Sequence, residues 1–250
     1  MSGHSKWSTI KRKKGAEDAK RGKIFTRLGR DIMMAAREGG GDENANPKLK
    51  LAILKARASN MPKDNIERAI KRGTGELEGG QMEEITYEAY GPEGVAYLID
   101  VLTDNRNRAL AEVKYVFNRG GGSLASAGSV AWQFTRKGYI TLPSAGLDFD
   151  EVFMIAAEAG ADDVSEDEGV ITIYTPREKL AAVEQALEDA KIEVEEAELR
   201  WEPNNEVQVA SDKAVANMKI MEQLEELDDV QSVAFNLLVT DEVATAFETA

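Results

Sequence analysis

The chain lacks cysteine, has a single histidine and contains no long apolar run. The absence of cysteine excludes disulfides, thiolate nucleophiles and cysteine-ligated zinc. The single histidine, His4, cannot form half of a two-histidine metal site, and it has no partner with which to act as a general base. No apolar stretch approaches the roughly 18 residues that a membrane helix needs. The basic N-terminus is not followed by the apolar segment of a secretory signal, so we expect a cytoplasmic protein.

Positive charge is scarce over most of the 250 residues and is concentrated at the beginning of the chain. Residues 1–75 hold 19 Lys and Arg against 8 Asp and Glu, a net charge of +11. Residues 76–250 hold 12 against 37, a net charge of −25. A cationic segment attracts polyanions and an anionic one repels them. We therefore expect nucleic acid to meet the first 75 residues.

Helical periodicity predicts that residues 1–75 form a small bundle behind a flexible basic arm. Glycines 39–41 and the pair Asn46-Pro47 separate the first two helices, and the third runs from Met61 to Gly73. The second helix has two apolar stripes, which predicts that it is clasped between neighbours; the stripes are Leu51, Leu54 and Ala58, and Leu49, Ile53 and Ala56. The first helix has an apolar face made of Ile24, Phe25, Leu28, Ile32, Ala35 and Ala36.

A cationic stripe on the opposite face of the first helix and the basic run before it make a candidate phosphate-binding surface. Its alternative is an ordinary solvated helix face. Trp7 is equally compatible with a hydrophobic staple onto the bundle and with a stacking platform for a base. Trp132 and Trp201 lie in strand patterns and are expected in the core. The predicted contacts in this segment are His4, Lys6, Trp7, Lys11, Arg12, Lys13, Lys14, Lys20, Arg21, Lys23, Arg27, Arg30 and Arg37.

Strand patterns dominate after a Gly- and Glu-rich linker at 73–80. Residues 83–90 and 94–102 predict a hairpin, followed by a helix that ends at the glycines 120–122. Residues 138–201 predict the order β-α-β-β-α-β, which is the ferredoxin-like arrangement. The tail adds a short strand near 207–209, a helix at 212–227 and a strand at 230–238, and a lone helix with two strands cannot bury its apolar faces alone.

The predicted fold class is therefore α+β with three domains. Residues 1–75 form the basic helical domain, and residues 80–136 plus 203–245 form a discontinuous α+β domain. Residues 137–202 form a ferredoxin-like α+β domain inserted in the second one.

Enzymatic patterns are absent from the sequence. It contains no phosphate-binding P-loop, and a single histidine near the terminus does not allow a Ser-His-acid set. The acidic clusters at 166–168 and 225–229 do not follow the calcium-loop pattern. We expect no catalytic residues, no metal, no cofactor and no small-molecule substrate.

Several segments, in the same order along the chain, closely resemble the signature segments of the YebC family. This family includes the PmpR-type bacterial regulators and the mitochondrial translational activator of cytochrome c oxidase subunit one. The resemblance implies a three-domain fold and a non-enzymatic role in gene expression, as DNA-binding regulators in some members and as translation factors at the ribosome in others. The segments are Gly3 to Trp7, Asp18 to Phe25, Asn60 to Asp64, Tyr87 to Pro92, Thr103 to Arg108 and Gly128 to Trp132.

The resemblance at 103–108 favours Arg106 and Arg108 as further nucleic-acid contacts, with salt bridges to the acidic surface as the alternative. For the whole chain, three functions remain open. A ribosome-associated factor would contact ribosomal RNA through the basic N-terminal domain, with ribosomal proteins as further candidate partners. It fits slightly better than a DNA-binding regulator, because no helix-turn-helix or dimer seam is evident. The third is a scaffold that binds only proteins through the acidic α+β domains.

Overall fold

A computed structural model describes residues 6, 7, 10, 17–77 and 82–249, without the side chains of residues 17–23. The structure combines helices with two antiparallel four-stranded sheets, so the predicted α+β class is confirmed.

Three helices form the N-terminal part: α1 (Glu17–Gly39), α2 (Pro47–Ala58) and α3 (Lys63–Gly73). Their shared core includes Ile32 and Ile53. The buried Asn46 caps α2 by accepting from the Leu49 N–H at 3.1 Å, and its amide donates to the Ala35 carbonyl at 2.7 Å. A single side chain therefore starts one helix and holds it against the end of another.

Close packing of α1 on α3 depends on a glycine. A Cβ at Gly73 would lie 2.3 Å from the Met33 carbonyl oxygen, so any other residue would push the two helices apart. The prediction that α2 is clasped on two sides is wrong. Leu49, Ile53 and Ala56 are buried, but Leu51 and Leu54 are each 50% exposed, because α1 and α3 pack against one face of α2 only.

The first sheet has the order β3-β1-β2-β8. Its strands are β1 (Glu83–Tyr90), β2 (Ala96–Thr103), β3 (Ser123–Ala125) and β8 (Val230–Phe235). Helices α4 (Arg106–Gly120) and α7 (Ser211–Glu225) contribute to the core on this sheet. The hairpin is confirmed, and the tail strand β8 pairs with β2 from more than a hundred residues away.

The core of the first sheet is aromatic and closely hydrogen-bonded. Tyr97 packs edge-to-face on Phe117 at 5.2 Å between ring centroids. Its hydroxyl donates to the Asn217 side-chain oxygen at 2.9 Å. Burial raises the pKa of Tyr97 well above its ordinary value, so it stays neutral. These contacts fix α7 on the sheet.

The second sheet has the order β5-β6-β4-β7. Its strands are β4 (Phe134–Pro143), β5 (Asp163–Asp167), β6 (Val170–Pro176) and β7 (Glu196–Pro203). Helices α5 (Phe149–Ala159) and α6 (Leu180–Asp189) share its buried core. The elements follow one another as β-α-β-β-α-β, as the sequence pattern predicts.

Two local expectations are wrong. Trp132 is 71% exposed rather than buried, because it lies in a short 3₁₀ turn (Ala131–Gln133) just before β4. A further helix, α8 (Asp241–Glu248), follows β8 where no helix was predicted. Its cap, in which the Thr240 hydroxyl accepts from the Val243 N–H at 3.3 Å, was readable in the sequence. Trp201 is partly buried, as expected, and donates to Asp100 at 3.0 Å.

Candidate nucleic-acid interface

The structure describes only part of the predicted contact set. His4, Lys11, Arg12, Lys13 and Lys14 lie outside the described residues. Lys20, Arg21 and Lys23 belong to helix α1, but their side chains are not described. For these eight residues the phosphate-binding role stays a prediction.

Trp7 is buried in the core of the first sheet, with 4% of its surface exposed. Its ring packs edge-to-face on Phe247 of α8 at 5.5 Å, and its indole N–H donates to the Glu225 carboxylate at 3.3 Å. Lys6 forms an ion pair with Asp241. Of the two alternatives for Trp7, the structure places it as a hydrophobic staple, but onto α7 and α8 rather than onto the helical bundle. A base could stack on it only if Trp7 left this position.

Two arginines of the α1 stripe contact the end of α7 and the loop that follows it. Arg27 donates from Nη2 to the Glu225 carbonyl oxygen at 3.3 Å. Arg30 donates to the Asp228 carbonyl and forms an ion pair with Asp229 at 2.6 Å. A cation is favourable here because the C-terminal end of a helix carries partial negative charge.

Asp229 is the centre of this contact and is only 2% exposed. Besides Arg30, it binds Arg108 at 2.8 Å and accepts a hydrogen bond from Thr103 at 2.8 Å. Burial opposes its ionisation, but these hydrogen bonds outweigh burial and lower the pKa of Asp229. The carboxylate therefore stays ionised and joins α1 to β2 and α4.

The remaining predicted arginines are more open. Arg108 also pairs with Asp104 at 2.8 Å, so the salt-bridge alternative describes its contacts. Arg106 is exposed at the start of α4, where its positive charge lies near the Tyr87 hydroxyl. Arg37 is exposed at the end of α1 and donates to the Met82 carbonyl at 3.4 Å.

Sequence reasoning missed a second polar row, on α3. Asn65, Arg68 and Arg72 are spaced i, i+3 and i+7 and share one helix face. Arg68 and Arg72 are exposed, and within the described part of the chain neither forms an ion pair. The spacing is visible in the sequence, but none of the three residues is among the predicted contacts.

This row lines a groove of about 540 Å³ between α1, α3 and the start of β1. The groove also contains Arg30 and Asp104, which already have partners. Its apolar lining consists of Phe25, Met33, Met61, Ala69 and Met82. The groove thus combines an apolar floor with two guanidinium groups that form no ion pair within the part of the chain that the structure describes.

A charged crevice lies on the other side of α1. Asp31 has an exposed side chain, yet the protein groups around it desolvate its carboxyl and raise its pKa to about 6. The positive charges of Lys55 and Arg27 oppose the rise, while Glu198 and Glu84 add to it. The crevice brings α1 and α2 close to β7, where Arg200 pairs with Glu196 at 3.0 Å and also with Glu198.

Two kinds of feature are absent from the described ranges. In residues 17–77 and 82–249, together with 6, 7 and 10, no three His, Cys, Asp or Glu side chains are arranged to hold a metal ion. Across that same part of the chain, no helix is long and apolar enough to cross a membrane.

Comparison with family models matches two consecutive segments. Residues 5–76 match the TACO1/YebC protein N-terminal domain, and residues 82–237 match the TACO1/YebC second and third domain. The chain belongs to the TACO1/YebC family. The boundary between the two matches coincides with the Gly- and Glu-rich linker that separates the cationic helices from the first sheet.

Curated relatives of the family are similar over almost their full length. A protein of Syntrophobacter fumaroxidans is 50% identical over 97% of this chain and 98% of its own length. A protein of Chlorobaculum tepidum is 49% identical over 99% of both chains. Both are named probable transcriptional regulatory proteins.

A solved structure is also similar. The crystal structure of a conserved hypothetical protein from Aquifex aeolicus superposes with a TM-score of 0.83 at 45% identity, covering 90% of this chain and 93% of that one.

Proposed function

We propose that this protein is a non-enzymatic regulator of gene expression that binds nucleic acid through its N-terminal helices. The observation that carries the proposal is the charge division between residues 1–75, net +11, and residues 76–250, net −25. The exposed arginines of α3 add cations without a partner among the described residues. The regulator names of the relatives support the same role.

The interface comprises the basic arm and the cationic positions of α1, joined by the α3 row. Lysine and arginine neutralise phosphates and release counterions, which gives affinity with little sequence information. Arg27, Arg30 and Arg108 act differently in this proposal, because their contacts to Glu225 and Asp229 hold α1 in place. They orient the interface more than they contact phosphate.

Ribosomal RNA is the favoured target, with the DNA of a regulated gene as the alternative. A shape-matched surface of phosphate contacts suffices for structured RNA. Duplex DNA regulators usually place a recognition helix from each half of a dimer on spaced half-sites. The anionic remainder of the chain would turn away from RNA or toward basic ribosomal proteins in the cytoplasm. A scaffold that binds only proteins is the remaining alternative, and the exposed Trp132 is the observation in its favour.

The three-domain organisation belongs to this proposal. Residues 1–75 form the nucleic-acid-binding domain, and residues 80–136 plus 203–245 form the α+β domain that anchors it. Residues 137–202 form a ferredoxin-like domain inserted in the second one. The pairing of β8 with β2 and the strand order β5-β6-β4-β7 support this division.

The test uses the full chain and its salt dependence. Affinity for duplex RNA, single-stranded RNA and DNA is measured by fluorescence anisotropy across a range of salt concentrations. Six phosphate contacts predict a slope of log K against log salt of about −5 on duplex, and a shallower slope on single strands. A slope near zero with every nucleic acid would contradict the proposal.

A second measurement separates the targets. A lysate is sedimented with and without ribonuclease and deoxyribonuclease, and the protein is followed by immunoblot. Co-sedimentation with ribosomes that ribonuclease abolishes is the expected result. Sensitivity to deoxyribonuclease alone would favour DNA, and sensitivity to neither would favour the protein scaffold.

A further inference from the structure

The groove between α1 and α3 contains a helical glycine that packing does not require. Gly29 lies in the middle of α1, where glycine costs roughly 0.5–1 kcal/mol relative to alanine. A Cβ at this position would meet its nearest neighbouring atom, Met61 Cε, at 3.6 Å, which is an ordinary van der Waals distance. A larger side chain at Gly29 would therefore enter the groove rather than a packed core.

The groove is open to solvent and has the volume of a small-molecule site. Its volume of about 540 Å³ lies within the roughly 300–1,000 Å³ typical of ligand pockets. Phe25, Met33 and Met82 are half-buried and turn apolar surface toward it. Thioether and aromatic groups make favourable contacts with flat aromatic rings.

The polar side of the groove complements a phosphate and the edge of a base. Arg68 and Arg72 form no ion pair with any described residue, and a guanidinium matches phosphate geometry with two parallel donors. The Asn65 side chain likewise has no hydrogen-bond partner in the described part of the chain. Its amide offers both a donor and an acceptor, the combination that pairs with a base edge.

We propose that this groove binds a single unpaired nucleotide of a nucleic-acid chain, with its base on the Phe25 and methionine floor and its phosphate on Arg68 and Arg72. The inference rests on the proposed function, because the groove lies on the segment assigned to nucleic acid. The occupant is part of a nucleic-acid strand rather than a free nucleotide, because cationic positions for neighbouring phosphates continue along α1. Lys20 and Lys23 lie in the turns that precede Thr26 at the groove.

The test compares three RNA hairpins of identical stem sequence with the full-length protein. One is fully paired, one carries a single unpaired adenine, and one carries an abasic residue at the same place. We expect the unpaired adenine to raise affinity about tenfold, since stacking one base contributes on that order. The abasic hairpin should lose most of this gain.

Gly29→Leu is the decisive variant, because it fills the groove without changing any charge. It should bind all three hairpins with the affinity of the paired one. Gly29→Ala is its matched control and should keep the preference for the unpaired adenine. If Gly29→Leu also keeps the preference, the inference is wrong.

A charge variant covers the case in which Gly29→Leu does not fold. Arg68→Ala/Arg72→Ala should abolish the preference, while Lys50→Ala/Lys71→Ala, which removes the same charge from exposed residues outside the groove, should retain it. Equal preference in the two double variants would overturn the assignment.

Two further outcomes separate the site from the function. Wild-type binding to the paired hairpin with no preference for the unpaired adenine would overturn the groove assignment and leave the proposed function standing. No binding to any RNA hairpin would overturn the groove assignment and the RNA target, and if DNA also failed to bind, the proposed function would be wrong as well. Adenosine monophosphate should compete weakly, and competition at the same concentration as the hairpin would show that the groove takes a free nucleotide instead.

Discussion

Helices α1 and α3 both carry arginines at helical spacing, yet the two rows differ in what they contact. Arg27 and Arg30 of α1 bind the end of α7 and the buried Asp229. Arg68 and Arg72 of α3 are exposed and have no ion pair among the described residues. Arginines at helical spacing therefore have two different roles: one row attaches to the acidic part of the chain, and the other is available for a ligand.

The largest expected effect concerns the packing of Trp7 against Phe247 of α8. Trp7→Ala should lower the free energy of unfolding by about 3–4 kcal/mol, because it removes a buried aromatic side chain and leaves a cavity beside Phe247. Urea denaturation measures the change. Trp132→Ala is the control, and its exposed ring should change stability by less than about 0.5 kcal/mol. Similar losses in the two variants would mean that Trp7 is not an anchor.

Asp229→Asn should lower the free energy of unfolding by about 3 kcal/mol, because Arg30 and Arg108 then lose their shared buried carboxylate. Thermal and urea unfolding measure it. Asp228→Asn removes the same charge from the exposed neighbouring residue and should have little effect.

Acid should weaken the same contact. The folded pKa of Asp229 lies below its unfolded value, so its contribution is complete above the unfolded pKa and is lost as pH falls through the folded one. The stability of Asp229→Asn should therefore depend less on pH in the acid range. If the free energy of unfolding fell equally steeply with decreasing pH in wild type and in the variant, the role given to Asp229 would be wrong.

Removing arginines from one row at a time should separate the effect on RNA affinity from the effect on stability. Arg68→Ala/Arg72→Ala should weaken RNA binding by about tenfold and make the salt slope shallower by about 1.5–2, because two phosphate contacts are lost. Its melting temperature should stay close to that of wild type. Arg30→Ala should instead lower the melting temperature, since Asp229 keeps only part of its compensation. Anisotropy and calorimetry measure the two effects, and the reverse pattern would invalidate the division between the rows.

The smallest expected effect concerns Asp31. Its pKa is raised to about 6, so the folded state favours the protonated carboxyl, and this contribution is present at acid pH and lost as pH rises through 6. Asp31→Asn should therefore raise the melting temperature more at pH 8 than at pH 4, by a few degrees at most. Asp228→Asn again serves as the control. An equal shift at both pH values would show that the crevice does not penalise the charge.

Much of the secondary structure was predictable because it depends on local pattern. The alternation in residues 83–102 and the periodicity in α3 correspond to buried faces in the structure. The predicted apolar face of α1 is buried from Ile32 onward, but its first residue, Ile24, is 44% exposed. The outer face of α2 was not predictable, because apolar residues such as Leu51 do not reveal whether a neighbour covers them. Helix α8 was not predicted, although Thr240 marks its start, because a helix of eight residues is too short to show a clear apolar periodicity.

The sequence by itself determined the distribution of charge, the order of helices and strands and the separation of a cationic beginning from an acidic remainder, since these follow from composition and short-range periodicity. Only the tertiary structure decided which cations are already compensated. Arg30 meets Asp229 across 199 residues of chain. The sign of a residue's charge can be read from the sequence, but the partner that neutralises it is decided by packing between elements that are distant along the chain.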